Sequence, residues 1–230
     1  MNMLIIGLTG NLGAGKTTVA GMFKKLGAKV LNADEMAHEL ISPHGTCFKE
    51  VVRSFGEEIL TNGKIDRKKL ARIVFSDSQK LARLNKIIHP KVIQQISGEI
   101  RKFVSLRAQR SGAKQSFNAE RIASSSLKNA PSRNDTILIV EAALLIESGL
   151  HKLMDEIIVV TANQRLQLKR ISKQRGIPKE EALKRLRMQM GVREKMKYAD
   201  VVIDNRGNLN QTKKQVEEIC QRIMQRNRTK

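Results

Sequence analysis

The chain has no tryptophan, one tyrosine and six phenylalanines. Proteins that grip single-stranded nucleic acid stack its bases on aromatic side chains. That shortage argues against a nucleic-acid-binding ATPase. Cysteine is scarcer still, with Cys47 and Cys220 far apart. Such a pair makes neither a disulfide framework nor metal-ligand spacing, and reduced thiols in a reducing compartment are expected. No apolar run is long enough for a membrane span. An apolar strand beginning almost at Met1 leaves no space for a signal or transit peptide. The expectation is a cytoplasmic protein with no membrane partner.

Acidic residues are the last shortage. Asp and Glu number 22 against 43 Lys and Arg, a net charge of +21 over 230 residues. Such an excess attracts anions, nucleotides and nucleic acid alike. The basic residues are spread along the chain, so most are read as solvated surface and no specific nucleic-acid partner is expected. A hydrophobic content of 40% is ordinary for a globular protein. The length suits one sizeable domain with insertions.

What is present near the N-terminus is more specific. Gly10-Asn11-Leu12-Gly13-Ala14-Gly15-Lys16-Thr17 fits the phosphate-loop pattern G-x-x-x-x-G-K-[ST]. Met3 to Leu8 before it reads as a buried strand. Val19, Met22, Phe23 and Leu26 after it have helical spacing, and Gly27 supplies a stop. A loop between strand and helix turns its backbone N–H groups onto an anion, and the helix N-terminus adds partial positive charge. ATP is therefore expected on Leu12, Gly13, Ala14, Gly15, Lys16, Thr17 and Thr18. Lys16 would bridge the β- and γ-phosphates, and the Thr17 hydroxyl would ligate Mg²⁺.

Further along, Lys29-Val30-Leu31 reads as a second strand ending at Asn32-Ala33-Asp34. Asp34 opens a helix from Glu35 to Ile41. Residues 48–104 read as helical without a strand, punctuated at Gly56, Asn62-Gly63 and a bend at His89-Pro90. Residues 106–135 have weak periodicity and many small polar residues, and read as a flexible loop. Strands follow at 136–140, 156–160 and 201–203. A basic helical stretch, 164–197, separates the last two, and Gln211–Arg226 is a final amphipathic helix. Strands alternating with helices predict a parallel α/β sheet. Asp34 then stands at a strand end beside the phosphate loop, where ligands of open α/β sheets bind. Its carboxylate can orient an attacking hydroxyl, and it also suits a helix N-cap. Glu141 ends the third strand, where an acid can reach Mg²⁺ through water.

Beyond the loop, an ordered set of segments resembles the dephospho-CoA kinase family. It comprises Gly7-Leu8-Thr9-Gly10, Asn32-Ala33-Asp34 with Ala37-His38, and Gly63-Lys64-Ile65-Asp66-Arg67. It continues with Leu84-Asn85 before His89-Pro90, Glu141 to Glu147, Gln167-Leu168-Lys169-Arg170 and Ala199 to Gly207. The resemblance implies a three-layer P-loop NTPase-like α/β fold: a five-stranded parallel sheet, a helical substrate-binding insertion and a helical lid. The nucleotide-binding core would be 1–35, 136–163 and 198–230, the CoA domain 36–135 and the lid 164–197. The implied reaction is ATP-dependent phosphorylation of the ribose 3′-hydroxyl of dephospho-CoA, giving CoA and ADP.

The resemblance also assigns residues. Asp34, Lys16 and Arg170 would be catalytic. Thr9, Asp34, His38 and His89 would meet the acceptor, while Asn205 and Gly207 would pack the adenine. Of Arg165, Arg170, Arg175, Arg185 and Arg187, about two are expected to reach ATP, Arg170 first and Arg175 second. The chain departs from the family where Asn32 replaces a usual Asp, Asn11 a usual Gly, and Ala142-Ala143 a proline-containing turn. Another small-molecule kinase, such as a nucleoside monophosphate or shikimate kinase, remains a rival reading. A GTP switch would need Asn-Lys-x-Asp, and the nearest match, Asn85-Lys86-Ile87-Ile88, lacks the acid. A monomer is expected, with an oligomer left open.

Overall fold

A computed structural model describes residues 4–112 and 137–226. The chain begins with β1 (Leu4–Thr9), α1 (Lys16–Lys25), β2 (Lys29–Asn32) and α2 (Ala33–Leu40). Next come α3 (Phe48–Phe55), β3 (Leu60–Thr61), β4 (Lys64–Ile65), α4 (Arg67–Val74) and α5 (Ser78–Gly112). The remainder is β5 (Ile137–Glu141), β6 (Glu156–Thr161), α6 (Gln164–Arg175), α7 (Lys179–Arg187), α8 (Val192–Met196), β7 (Val201–Asp204) and α9 (Leu209–Arg226). Five strands form one parallel sheet in the order β2-β5-β1-β6-β7. This is the α/β sheet that the alternation predicted.

Period-two alternation sorts the sheet residues into two cores. Ile137 and Ile139 of β5, with Ile158 and Val160 of β6, face α1 and α9, where Phe23, Val216 and Ile223 are buried. Leu138 and Val140, with Ile157 and Val159, face the helices α2 to α5, where Val51, Val74 and Ile96 are buried. A small third cluster joins Ile171, Ala182 and Leu186 of α6 and α7 to Leu12 of the phosphate loop. Two aspartates fix where strands begin. Asp155 Oδ2 accepts from Ile5 N at 2.7 Å, and Asp200 Oδ2 accepts from Ile157 N at 2.8 Å.

Several local expectations need correction. Asp34 does not open its helix. Asn32 is the N-cap, and its side-chain oxygen accepts from Asp34 N and Glu35 N. An asparagine caps as well as an aspartate, so the acid is left to face the cleft. The supposedly all-helical 48–104 contains the hairpin β3–β4, turned on Asn62 (φ 49°) and Gly63 (φ 72°). Asn-Gly is the preferred pair for such a two-residue turn, but strands of two residues show no periodicity. His89-Pro90 does not interrupt the helix, because α5 runs through Pro90. Pro90 and Lys86 are both exposed, so the carbonyl that loses its partner is left to water. The helix also continues through 106–112, which read as loop; helix propagation needs no amphipathic face once nucleated. The rest of that expected loop lies outside the described residues.

The sheet face toward α2–α5 is buried, with Leu138 fully inaccessible, so a cavity there is costly. Leu138→Ala is expected to lower unfolding free energy by about 2–5 kcal/mol. Urea denaturation with an unchanged slope is the check; a loss under about 0.5 kcal/mol, typical of a surface site, would contradict this packing.

Candidate active site

A parallel sheet points all its strand ends one way, so β1, β2 and β5 deliver their following residues to one edge. There the phosphate loop, Asp34 and Glu141 line a cleft of about 440 Å³ with Arg170 and Asn205. The loop's shape depends on glycine where backbone crosses the left-handed region. Gly15 has φ 96° at the start of α1, and a Cβ there would collide with the Asn205 amide. Its carbonyls turn outward and are satisfied from behind. Arg170 of α6 donates to Ala14 O at 3.2 Å, Gly13 O at 3.5 Å and Asn205 O at 3.1 Å. Asn205 Nδ2 donates to Ala14 O at 2.7 Å, while its own oxygen accepts from Thr212 Oγ1 at 2.9 Å.

Lys16 is buried, with Nζ donating to Asn11 O at 3.5 Å. The Thr17 hydroxyl donates to Glu141 Oε1 at 2.6 Å. Burial pushes the Glu141 carboxyl above its ordinary range, while the Thr17 hydrogen bond and the Lys16 charge pull it back. A hydroxyl and a carboxylate meeting in a phosphate cleft are hard oxygen donors of the kind Mg²⁺ takes. Among the described residues no group of three or more His, Cys, Asp or Glu could hold a metal alone. A cation here would need its remaining ligands from phosphate and water, which is how Mg²⁺ is usually held.

Asp34 is exposed at the cleft in the first turn of α2. One turn further, His38 lines a second pocket of about 310 Å³ between α2, α4 and α5. Its walls are apolar, including Leu70, Val74, Phe75 and Ile88, and polar groups of Arg67, His38, Glu147 and Gln189 line it too. His38 Nδ1 lies 3.0 Å from the Arg67 guanidinium. The carboxylate at the nucleotide cleft and the imidazole at the apolar pocket thus share one helix face.

Other expected residues lie elsewhere. Thr9 is fully buried, its hydroxyl directed at Ala143 O at 3.5 Å. Ala14 is buried and contributes its carbonyl rather than cleft surface. His89 is half-buried in α5, lines neither cavity, and has its imidazole pKa lowered by burial against the opposing pull of Glu147. Gly207 stands outside the cleft lining. Arg185 lies 4.9 Å from the Phe75 ring and pairs with Glu181, Arg165 lines an outer groove, and Arg187 is exposed. The side chain of Arg175 is outside the described residues. The cleft also takes Ile171, Gln174 and Leu209, which no motif or spacing singles out.

Lys195 was also unforeseen. It is fully buried, and its Nζ donates to Ala143 O at 2.7 Å and to both Glu147 oxygens at 2.9 and 3.0 Å. In sequence it is one more lysine in a basic stretch. Burial lowers its pKa, and the Glu147 hydrogen bond and charge oppose that shift.

The dephospho-CoA kinase family model matches residues 4–109 and 119–211. A dephospho-CoA kinase of Aquifex aeolicus is 40% identical over 219 residues, 95% of this chain and 96% of that one. Among solved structures, a Thermus thermophilus protein superposes with TM-score 0.69 at 29% identity, covering 96% of this chain and 98% of its own. The dephospho-CoA kinase of Campylobacter jejuni gives 0.62 at 25% identity, covering 97% and 98%.

Removing one partner of a buried ion pair strands the other charge. Lys195→Met is expected to lower stability by about 3–5 kcal/mol. Adding Glu147→Leu should recover most of the loss, since an apolar pair of similar volume often substitutes well. Thermal and urea unfolding of the single and double variants read this out; a double variant no better than the single contradicts the pairing.

Proposed function

The chain belongs to the dephospho-CoA kinase family, and on that premise we propose how its residues divide the phosphorylation of dephospho-CoA by ATP. That reaction is the final step of coenzyme A synthesis and gives CoA and ADP. The observation that carries the division is the meeting of Lys16, Thr17, Asp34, Glu141 and Arg170 at one cleft, with an apolar pocket one helical turn away.

ATP binds with its phosphates on the N–H groups of residues 13–18, at the positive end of α1. Lys16 and Arg170 neutralise charge on the phosphates as the γ-phosphoryl group passes to its acceptor. Asp34 receives the ribose 3′-hydroxyl, aligns its oxygen for in-line attack and accepts its proton. The Thr17 hydroxyl and the Glu141 carboxylate would hold Mg²⁺, directly and through water respectively; when bound, the ion supplies charge neutralisation at the phosphates. Asn205 and Leu209 border the adenine end of the cleft. The apolar pocket takes the pantetheine arm, with His38 at its rim. Residues 164–197 act as a lid that excludes water, the competing acceptor.

A monomeric, cytoplasmic enzyme completes this proposal. No helix among the described residues is long and apolar enough to cross a membrane. Both cysteines are free and buried, as suits a reducing compartment.

Incubation of the purified protein with Mg-ATP and dephospho-CoA should produce CoA and ADP; phosphorylation of shikimate or a nucleoside monophosphate instead would overturn the reading. Asp34→Asn is expected to lower turnover by about 10²–10⁴ with little change in ATP affinity, and wild-type turnover would refute its role. Glu141 carries a pH signature. A carboxyl with a raised folded pKa contributes most to stability below its unfolded value, about 4.3, and loses that contribution as pH rises through the folded value. Glu141→Gln should therefore be at least as stable as wild type at pH 7 in the ligand-free state, yet bind Mg-ATP more weakly. Wild type should lose Mg-ATP affinity on acidification from above pH 4.3, more steeply than the variant; parallel profiles would refute it.

A further inference from the structure

The two cavities are joined by three residues of the proposed lid that have no individual role in the steps above. Met188 and Gln189 line the apolar pocket, and Met190 follows at once. Gln189 Oε1 accepts from the backbone N–H of Leu12 at 2.9 Å. Met190 O accepts from Asn11 Nδ2 at 3.1 Å, and Met190 N donates to Glu147 Oε1 at 3.0 Å. A pocket-wall residue thus holds a phosphate-loop N–H, while its neighbour ties the loop's first variable residue to the other pocket wall.

Two more observations place the loop under control of this strap. Leu12 packs its side chain against the small core of α6 and α7, so the main-chain bond from Gln189 and the side-chain packing fix the same residue. Asn11 is buried, and the Met190 carbonyl sets its amide orientation, leaving Asn11 Oδ1 without a partner. A buried unpaired oxygen favours any rearrangement that gives it a donor. Lys16 Nζ already lies against the main-chain oxygen of Asn11, at 3.5 Å. Both leading residues of the phosphate loop therefore answer to a segment whose other face is the apolar pocket.

We propose that Gln189 is a positioning residue that couples acceptor binding to nucleotide binding through Leu12. A ligand in the apolar pocket packs against Met188 and Gln189 and holds the strap in place. The strap then presents the phosphate loop already ordered, and ATP binds more tightly because that ordering has been done. By linkage ATP tightens the acceptor by the same factor. The energetic route runs along one hydrogen bond, and an oxygen at the end of residue 189 is its requirement. Leucine has similar bulk but cannot accept from Leu12 N, whereas glutamate can.

This inference rests on the assignment of the apolar pocket to dephospho-CoA. Isothermal calorimetry of a non-hydrolysable ATP analogue, with and without saturating dephospho-CoA, measures the coupling directly. Wild type should show tightening of about fivefold or more. Gln189→Leu should bring the ratio close to one, with the KM for ATP no longer depending on acceptor concentration. Gln189→Glu should keep the coupling while weakening ATP in both conditions through charge repulsion. Asn11→Gly removes the second tie together with the unpaired Oδ1, and should reduce the ratio by a smaller factor; its melting temperature reports whether the fold is kept. Coupling of wild-type size in Gln189→Leu overturns the proposal, as does a wild type that binds both ligands independently. Should Gln189→Leu not fold, the ratio in Asn11→Gly decides by itself. A wild type that does not bind dephospho-CoA at all overturns the pocket assignment itself, and the coupling with it.

Discussion

A peptide loop that aims its N–H groups at one point must aim many carbonyls away from it. Everything around this cleft follows from that constraint. The outward carbonyls of Gly13 and Ala14 need donors from the protein. Arg170 and Asn205 provide them, one from α6 and one from the turn after β7. Arg170 also holds the Asn205 carbonyl, and Thr212 of α9 holds the Asn205 amide oxygen. Three distant stretches are thereby committed to the back of eight residues. This explains why Asn205 is 3% exposed although it borders the cleft. An arginine in that position has two uses on the proposed reading, since part of its fork fixes the loop while its charge lines the cleft proposed for the phosphates.

The same reasoning separates what was legible in the sequence from what was not. Gly10 to Thr17 announces its own geometry, because glycine spacing and an adjacent strand and helix are local facts. The sheet was equally legible, since β5 and β6 are buried on both faces and read as unbroken apolar runs. Asp34 was placed at the right strand end, but its capping role belonged to Asn32. The hairpin β3–β4 escaped because two-residue strands carry no pattern, although its Asn-Gly turn was visible. Long-range partners were not legible at all. Nothing in the spelling of residues 189 and 195 distinguishes Gln189 or Lys195 from neighbouring polar residues. Their importance comes from chain crossings that bring residue 12 to 189 and residue 147 to 195. Resemblance supplied Arg170 as a lid residue, while its bonds to the loop carbonyls came only with the coordinates.

Lys195 shows how a buried charge is made tolerable. Its three donors meet three oxygens, from Ala143 and both arms of Glu147. Thr9, two residues before Asn11, directs its hydroxyl to the same Ala143 carbonyl. The turn after β5 is therefore fixed from the core side and from α8 at once. That turn is also a wall of the apolar pocket through Leu144 and Glu147. Burial of polar groups here costs desolvation, and complete pairing offsets it while giving the wall one position rather than several.

The large positive charge can be assigned by distance. On the proposed reading the phosphates of ATP meet two carboxylates, Asp34 and Glu141, in one cleft, and like charges at close range repel. Cations in contact oppose that repulsion, and among the described residues the cleft lining has two, Lys16 and Arg170, beside the proposed Mg²⁺. The Debye length is about 8 Å at physiological salt. Exposed lysines and arginines more than about 8 Å from the cleft are therefore screened from the reacting phosphates. Their effect is instead on encounter, where a positive surface raises the arrival rate of anionic substrates in a salt-dependent way. On the proposed reading, phosphate charge is met in the cleft by Lys16, Arg170 and Mg²⁺, and the remaining excess acts before binding rather than during transfer.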